Sequence, residues 1–261
     1  MALCSSSIPH VRSLTTVVKF AITEHRTPHQ ELLPARCASK VLSDAKNNMP
    51  LEYRTVPLYG GAITASIPTS YLDVSTIREV PSTQELHLSR TGLTSVLIDL
   101  LTYIECPPAT SPTDLAALEY HFSDIVSADT DTLAVHSTTS IKIPHLPNVP
   151  AYSAVATSTP KRRRESDGRE AAFTVLLVTL VRLKAVATDV VVTVNVPHVR
   201  WVTEKGKGEG EIGNWDGREV ELGKGSEMGS SGALVQEALE VRDRLVESLR
   251  VLDYGLFVDE G

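Results

Sequence analysis

Two apolar runs late in the chain leave few folds open. Residues 172–183 carry large side chains on both alternating sets, Phe173, Val175 and Leu177 against Leu176, Val178 and Leu180. A strand built this way must be covered on both faces, because leaving such a side chain in water forfeits about 1.5–3 kcal/mol. After a short connection, residues 190–196 place Val190, Val192, Val194 and Val196 on one face with Thr193 and Asn195 opposite. Two strands joined so closely form an antiparallel hairpin. The expected centre of the fold is therefore an antiparallel sheet.

Helical patterns supply its covers. The clearest spans residues 233–249, where Leu234, Ala238, Val241, Leu245 and Leu249 form one stripe, and Glu240 and Arg244 are spaced to pair on the wet side. Val96, Leu97, Leu100, Leu101 and Ile104 recur at helical spacing from a start near Thr94. A third helix is expected from Ser111, with Pro112 at its first position and Asp114 favoured by the helix dipole. It turns Leu115, Leu118 and Phe122 to the core, with His121 beside them as a hydrogen-bonded structural histidine. Shorter strands are expected at 133–136 and 151–157, and Leu256 and Phe257 should pin the tail to the domain. The fold class is α/β in the α+β sense, a central antiparallel sheet flanked by helices on both faces.

Charge divides the chain unevenly. The net charge is −7, and residues 1–49 carry six Lys or Arg against three acids, which leaves −10 for residues 50–261. An acidic domain disfavours nucleic acid; it suits a partner with a basic face, or simply keeps the protein soluble. The longest apolar stretch, residues 171–181, is shorter than the roughly 18 residues that cross a bilayer, so no membrane span is expected. Three cysteines without C-x-x-C spacing argue against a disulfide framework or a zinc site.

Residues 1–49 combine serine and arginine with few acids in the manner of a presequence, but Pro9, Pro28 and Pro34 interrupt any long amphipathic helix. They read as a disordered extension, or as sequence upstream of a start at Met49. Residues 50–261 read as one domain with two flexible insertions. The first, 159–170, contains Lys161, Arg162, Arg163 and Arg164, a basic cluster of the nuclear-localisation kind or a solvated loop. The second, 203–232, holds nine of the 15 glycines. Its Gly208-x-Gly210-x-x-Gly213 is no dinucleotide site, because no helix follows directly and Glu209 and Glu211 would repel a pyrophosphate.

The stretch 58–85, LYGGAITASIPTSYLDVSTIREVPSTQE, has a different character. Gly60 and Gly61 permit a sharp bend between short strands. Ile63, Ala65 and Ile67 then alternate with Thr64 and Ser66 in a half-buried strand that Pro68 stops. Beyond it, polar Asp73, Arg78, Glu79, Gln84 and Glu85 are interleaved with Tyr71, Leu72, Ile77 and Val80, the composition of a shaped surface resting on a core.

The run LYGGAI and the spaced residues Asp73, Ser75, Arg78, Val80, Pro81, Gln84 and Glu85 resemble the signature of the Ran guanine nucleotide release factors. YHFSD at 120–124, AVH at 134–136, TDVVVTVNVP at 188–197 and VLDYGLF at 251–257 match in the same order, so the resemblance covers roughly 56–257. It implies a PsbP-like sandwich, a single Ran-binding domain, and a factor that loosens guanine nucleotide from Ran and supports nuclear import, in nucleus and cytoplasm, without catalysis or a cofactor. The alternative is a trafficking adaptor using the same surface. Glu85, Gln84, Asp73, Arg78 and Glu79 are the implied Ran contacts, with Ser82 standing where the family usually has aspartate. The implied partner is Ran, with a second Ran-binding protein left open as a further member of the complex; no nucleic acid and no membrane are implied, and the chain itself is expected to be a monomer. No G-x-S-x-G elbow, Walker A lysine or histidine–nucleophile pairing points to an enzyme.

Overall fold

The computed structural model describes residues 50–77, 79–90, 94–105, 114–126, 131–161, 171–199 and 230–257. The chain opens with β1 (Tyr53–Leu58) and β2 (Ile63–Pro68), an antiparallel pair. Their connection is a 3-10 turn over Tyr59–Gly61, and its backbone is left-handed at Tyr59 (φ 50), Gly60 (φ 67) and Gly61 (φ 98). The two glycines adopt this shape without penalty; Tyr59 does so against its own preference. A short β10 (Arg250–Val251) adds to β2 and completes a three-stranded sheet.

A seven-stranded sheet forms the body. Its strands are β3 (Tyr71–Asp73), β4 (Gln84–Ser89), β5 (Ser95–Thr102), β6 (Asp131–Ile141), β7 (Ala151–Pro160), β8 (Ala171–Leu183) and β9 (Thr188–Val199). They lie in the order β3-β4-β5-β9-β8-β7-β6, with every neighbouring pair antiparallel. The central hairpin forms as the sequence predicts, with β8 and β9 in register from Leu183↔Thr188 outward. Its connection is a 3-10 turn over Lys184–Val186 closed by Ala187 at φ 48.

Each face of this sheet carries its own core. Val96, Ile98, Val175, Leu177, Val190, Val192 and Val194 pack beneath the small sheet, through Leu58, Ile63, Ala65 and Ile67, and beneath α2 (Ser230–Ser248), through Ala238, Val241 and Leu245. On the opposite face, Leu97, Leu176, Val178, Leu180 and Val191 meet Leu118, Phe122 and Ile125 of α1 (Leu115–Ile125). The architecture is mostly antiparallel sheet with few helices, and on one face a second sheet shares the covering with helix. Leu256 and Phe257 pack against the first core, as expected for the tail.

Four expectations are corrected. Residues 95–102 form β5 and not a helix, bonded between β4 and β9. Val96 and Ile98 face one core while Leu97 faces the other, and a strand buried on both faces gives the same apolar run as a buried helix. The strand expected at 133–136 runs through Asp131–Ile141 with an irregularity between Val135 and Ser137; as an edge strand rich in Ser and Thr, it shows little alternation. In α2, Leu234 is 39% exposed and so leaves the buried stripe. Instead of pairing with each other on the wet side, Glu240 and Arg244 both approach Tyr53: its hydroxyl lies 3.4 Å from Glu240 Oε1, and the Arg244 guanidinium stands 5.6 Å from its ring centre. The expected helix start at Ser111 and Pro112, residues 1–49, most of the basic cluster and residues 203–229 of the glycine-rich insertion lie outside the described residues, whereas residues 230–232, expected in that flexible insertion, begin α2. Among the described residues, no helix is long and apolar enough to cross a membrane.

Candidate functional site

The signature folds into one corner of the molecule, where the β1–β2 turn meets the start of β4. Pro81 to Gln84 make a turn, with the Gln84 N–H donating to the Pro81 carbonyl at 2.9 Å, and Ser82 and Thr83 are exposed at its tip. Strand alternation then sends Gln84 and Glu85 to opposite faces. Glu85 pairs across β5 with Ile98 on the small-sheet side, and Gln84 pairs with Asp99 on the α1 side.

Glu85 is half-buried and holds the turn. Its Oε1 accepts the Tyr59 backbone N–H at 2.5 Å, tying down the one non-glycine residue of that left-handed segment. The Tyr59 hydroxyl donates to the Ile98 carbonyl at 2.7 Å and lies 3.2 Å from the Thr83 carbonyl. Burial, and then the carboxylates of Asp99 and Glu85, hold this phenol protonated well above its ordinary range, so it remains a donor. Burial also pushes the Glu85 carboxyl upward, opposed by the Tyr59 amide and reinforced by Asp73.

Asp73 ends β3 and caps the next turn, its Oδ1 accepting the Ser75 N–H at 2.8 Å while the Thr76 hydroxyl donates to its carbonyl at 2.7 Å. It pairs in register with His87, two residues along β4 and therefore on the same face as Glu85. The structure thus brings Asp73 and Glu85 to one face and leaves Glu79 and Ser82 exposed on the adjoining loop. Gln84 is turned away from them, and Arg78 lies outside the described residues. Glu85 is not the freely solvated carboxylate that a strand end suggests; the contact that buries it comes from a residue 26 positions earlier.

Behind the surface sits Asp99, which sequence reasoning missed although an acid within an apolar run was its signal. It is 4% exposed, and burial pushes its carboxyl up to about 7 against the lowering effect of Gln84. A carboxyl whose folded pKa lies above its unfolded value of 3.8 stabilises the fold while protonated. That contribution is complete below the unfolded value and is lost as pH rises through about 7. Asp99→Asn should therefore raise stability at pH 8 by on the order of 2 kcal/mol and change little near pH 4. Urea unfolding at the two pH values measures this; an equal difference at both would contradict it.

A second buried cluster lies at the far end of β8 and β9. Asp189, fully buried, stands 3.3 Å from Arg182 Nε in an ion-pair contact without hydrogen-bond alignment. Its other oxygen is 2.9 Å from His121 Nε2 and accepts the Ile104 N–H at 3.1 Å. Arg182 donates to the Ile104 carbonyl at 2.7 Å, stands over the Tyr103 ring at 3.9 Å and reaches Asp114 at 3.5 Å. His121 is the structural, hydrogen-bonded histidine that the sequence predicts. An open cavity of about 340 Å³ is lined by Thr55, Thr64, His145, Ser248, Arg250 and Leu252, and none of Asp73, Glu79, Ser82, Gln84 and Glu85 borders it.

Comparison with known proteins places this corner in context. Residues 56–197 match the family profile described as Ran-interacting Mog1 protein. The chain is 32% identical over 154 residues to the nuclear import protein mog1 of Schizosaccharomyces pombe, covering 54% of this chain and 76% of that one. It is 29% identical over 156 residues to the nuclear import protein MOG1 of Saccharomyces cerevisiae, covering 55% of this chain and 66% of its relative. The Ran guanine nucleotide release factor of Danio rerio is 34% identical over 73 residues, which are 28% of this chain and 37% of the relative. The crystal structure of the Saccharomyces cerevisiae Ran-binding protein Mog1p superposes with a TM-score of 0.54 at 24% identity, over 80% of this chain and 100% of that one, and so shares the fold.

Proposed function

Because the chain belongs to the family of Ran-interacting Mog1 proteins, we propose that it binds the GTPase Ran through the Asp73–Glu85 corner, promotes release of bound guanine nucleotide and supports nuclear import. The observation that carries this reading is the joining of the two signature pieces, the turn at 59–61 and the segment 73–85, through the Tyr59 amide on Glu85. The result is one shaped acidic surface, with Asp73, Glu79 and Glu85 presented to a basic face on Ran. Complementary charge of this kind speeds encounter and fixes register. Arg78 and Gln84 belong to the same proposed contact region, Gln84 by supporting Asp99 behind it.

Such a factor acts by linkage, without making or breaking covalent bonds. Binding nucleotide-free Ran more tightly than loaded Ran lowers the nucleotide's affinity by the same factor. The reading places the protein in nucleus and cytoplasm, and Lys161 to Arg164 are the proposed import signal. Release of a fluorescent guanine nucleotide from purified Ran tests it: faster release on adding the protein is expected. Stable binding without release would favour an adaptor role, and no interaction would overturn the assignment.

Ser82 offers a graded check. It is exposed at the tip of the Pro81–Gln84 turn, where an acid would add to the patch. Ser82→Asp should tighten the complex by roughly 0.2–1 kcal/mol, the range of an exposed ion pair. An unchanged or weaker affinity measured by calorimetric titration would show that this tip stays outside the contact.

A further inference from the structure

Ile77 is 71% exposed, and Leu72, one residue before Asp73, is 37% exposed. Isolated apolar side chains on a surface are ordinary, but the setting of Ile77 is specific. Asp73 opens the 3-10 turn Val74–Thr76 as its cap, and Ile77 closes it by donating its N–H to the Val74 carbonyl at 2.9 Å. Val74 is buried in the core beneath α1, and Val80 packs against the same cluster. The turn that carries Ile77 is thus anchored in the core through Val74 while the Ile77 side chain remains in water. Asp73 lies four residues before it and the exposed Glu79 two residues after it, with Arg78 between, so the apolar side chain is set among charged residues along the chain.

We propose that Ile77 is the apolar anchor of the contact with Ran, a proposal that rests on the reading above of this corner as the Ran-binding surface. The matching site on Ran is a shallow apolar socket bordered by lysine or arginine. The two kinds of group have separable roles. Rim charges govern the rate of encounter and its dependence on salt, whereas a desolvated central side chain governs residence time. An anchor already held on a fixed turn also loses little conformational freedom on docking.

The test measures association and dissociation of Ran with the wild-type protein, Ile77→Ser, Ile77→Val and Asp73→Asn at several salt concentrations, alongside melting curves. Ile77→Ser should bind about five- to tenfold more weakly, through faster dissociation, with the salt dependence and melting temperature of the wild type. Ile77→Val should recover most of the affinity, and Asp73→Asn should instead slow association and flatten its salt dependence. If wild type binds Ran and Ile77→Ser binds equally well, the anchor is wrong and the Ran reading stands. If Ile77→Ser loses melting temperature together with affinity, Ile77 is structural. If wild type does not bind Ran at all, the reading and the anchor fall together.

Discussion

Asp189→Ala should cost the fold about 3–5 kcal/mol, the largest loss expected of any single change considered for this molecule. The carboxylate is fully buried and serves three groups at once: the Arg182 guanidinium, the His121 ring and the Ile104 N–H. Its removal leaves Arg182, itself 1% exposed, as a charge with the Ile104 carbonyl and the partly exposed Asp114 for company. A charge stranded this way is penalised far more than the pair was worth, because the pair's own attraction was largely offset by desolvation. The same reasoning gives the control. Removing both charges, as in Arg182→Met with Asp189→Ala, should recover a substantial part of the loss, so the two changes should be strongly non-additive. Chemical unfolding of the two single variants and the double variant measures this. A loss below about 1 kcal/mol in Asp189→Ala, or simple additivity, would show that water reaches the cluster and solvates it.

Glu85→Lys is expected to weaken Ran binding by about 2 kcal/mol or more, since it reverses a charge within the proposed contact. It should also cost stability, because Glu85 is half-buried and its carboxylate is the acceptor for the Tyr59 amide. Hydrogen bonds to charged groups contribute about 1.5–3 kcal/mol, and here the bond restrains a tyrosine at φ 50. Glu85→Gln separates the two effects. It keeps an acceptor for the amide and removes only the charge, so it should melt close to the wild type and still bind Ran measurably more weakly. Equal affinity of Glu85→Gln and wild type, with Glu85→Lys both unstable and inactive, would make Glu85 a support of the turn and not a contact.

How much could be read in advance varied with the reach of the forces involved. The β8–β9 hairpin was legible because Val175, Leu177, Leu176 and Val178 are apolar on both alternations and the connection is short. The β2 strand was legible from Ile63, Ala65 and Ile67, and the bend before it from two adjacent glycines. β5 was misread because Val96, Leu97, Leu100 and Leu101 satisfy a helical period by coincidence, and only its bonding on both sides to β4 and β9 reveals a strand. The candidate surface was legible as a motif, yet its internal construction was not. The Tyr59–Glu85 contact joins two segments through tertiary packing, and Gln84 turns to the opposite face because β-strands alternate. Arg182 and Asp189 did carry a signal that went unread. Opposite charges near the ends of two otherwise apolar strands, on either side of one short connection, are brought face to face by the hairpin register.

The central claim is a coupling between two binding equilibria, and it is tested most directly by measuring the dissociation constant of guanine nucleotide from Ran with and without saturating amounts of this protein. A release factor must raise that constant, by the same factor by which the protein prefers nucleotide-free to loaded Ran in a separate titration. The account predicts that the two factors agree. A nucleotide affinity unchanged at saturation, in a mixture where the complex demonstrably forms, would contradict it.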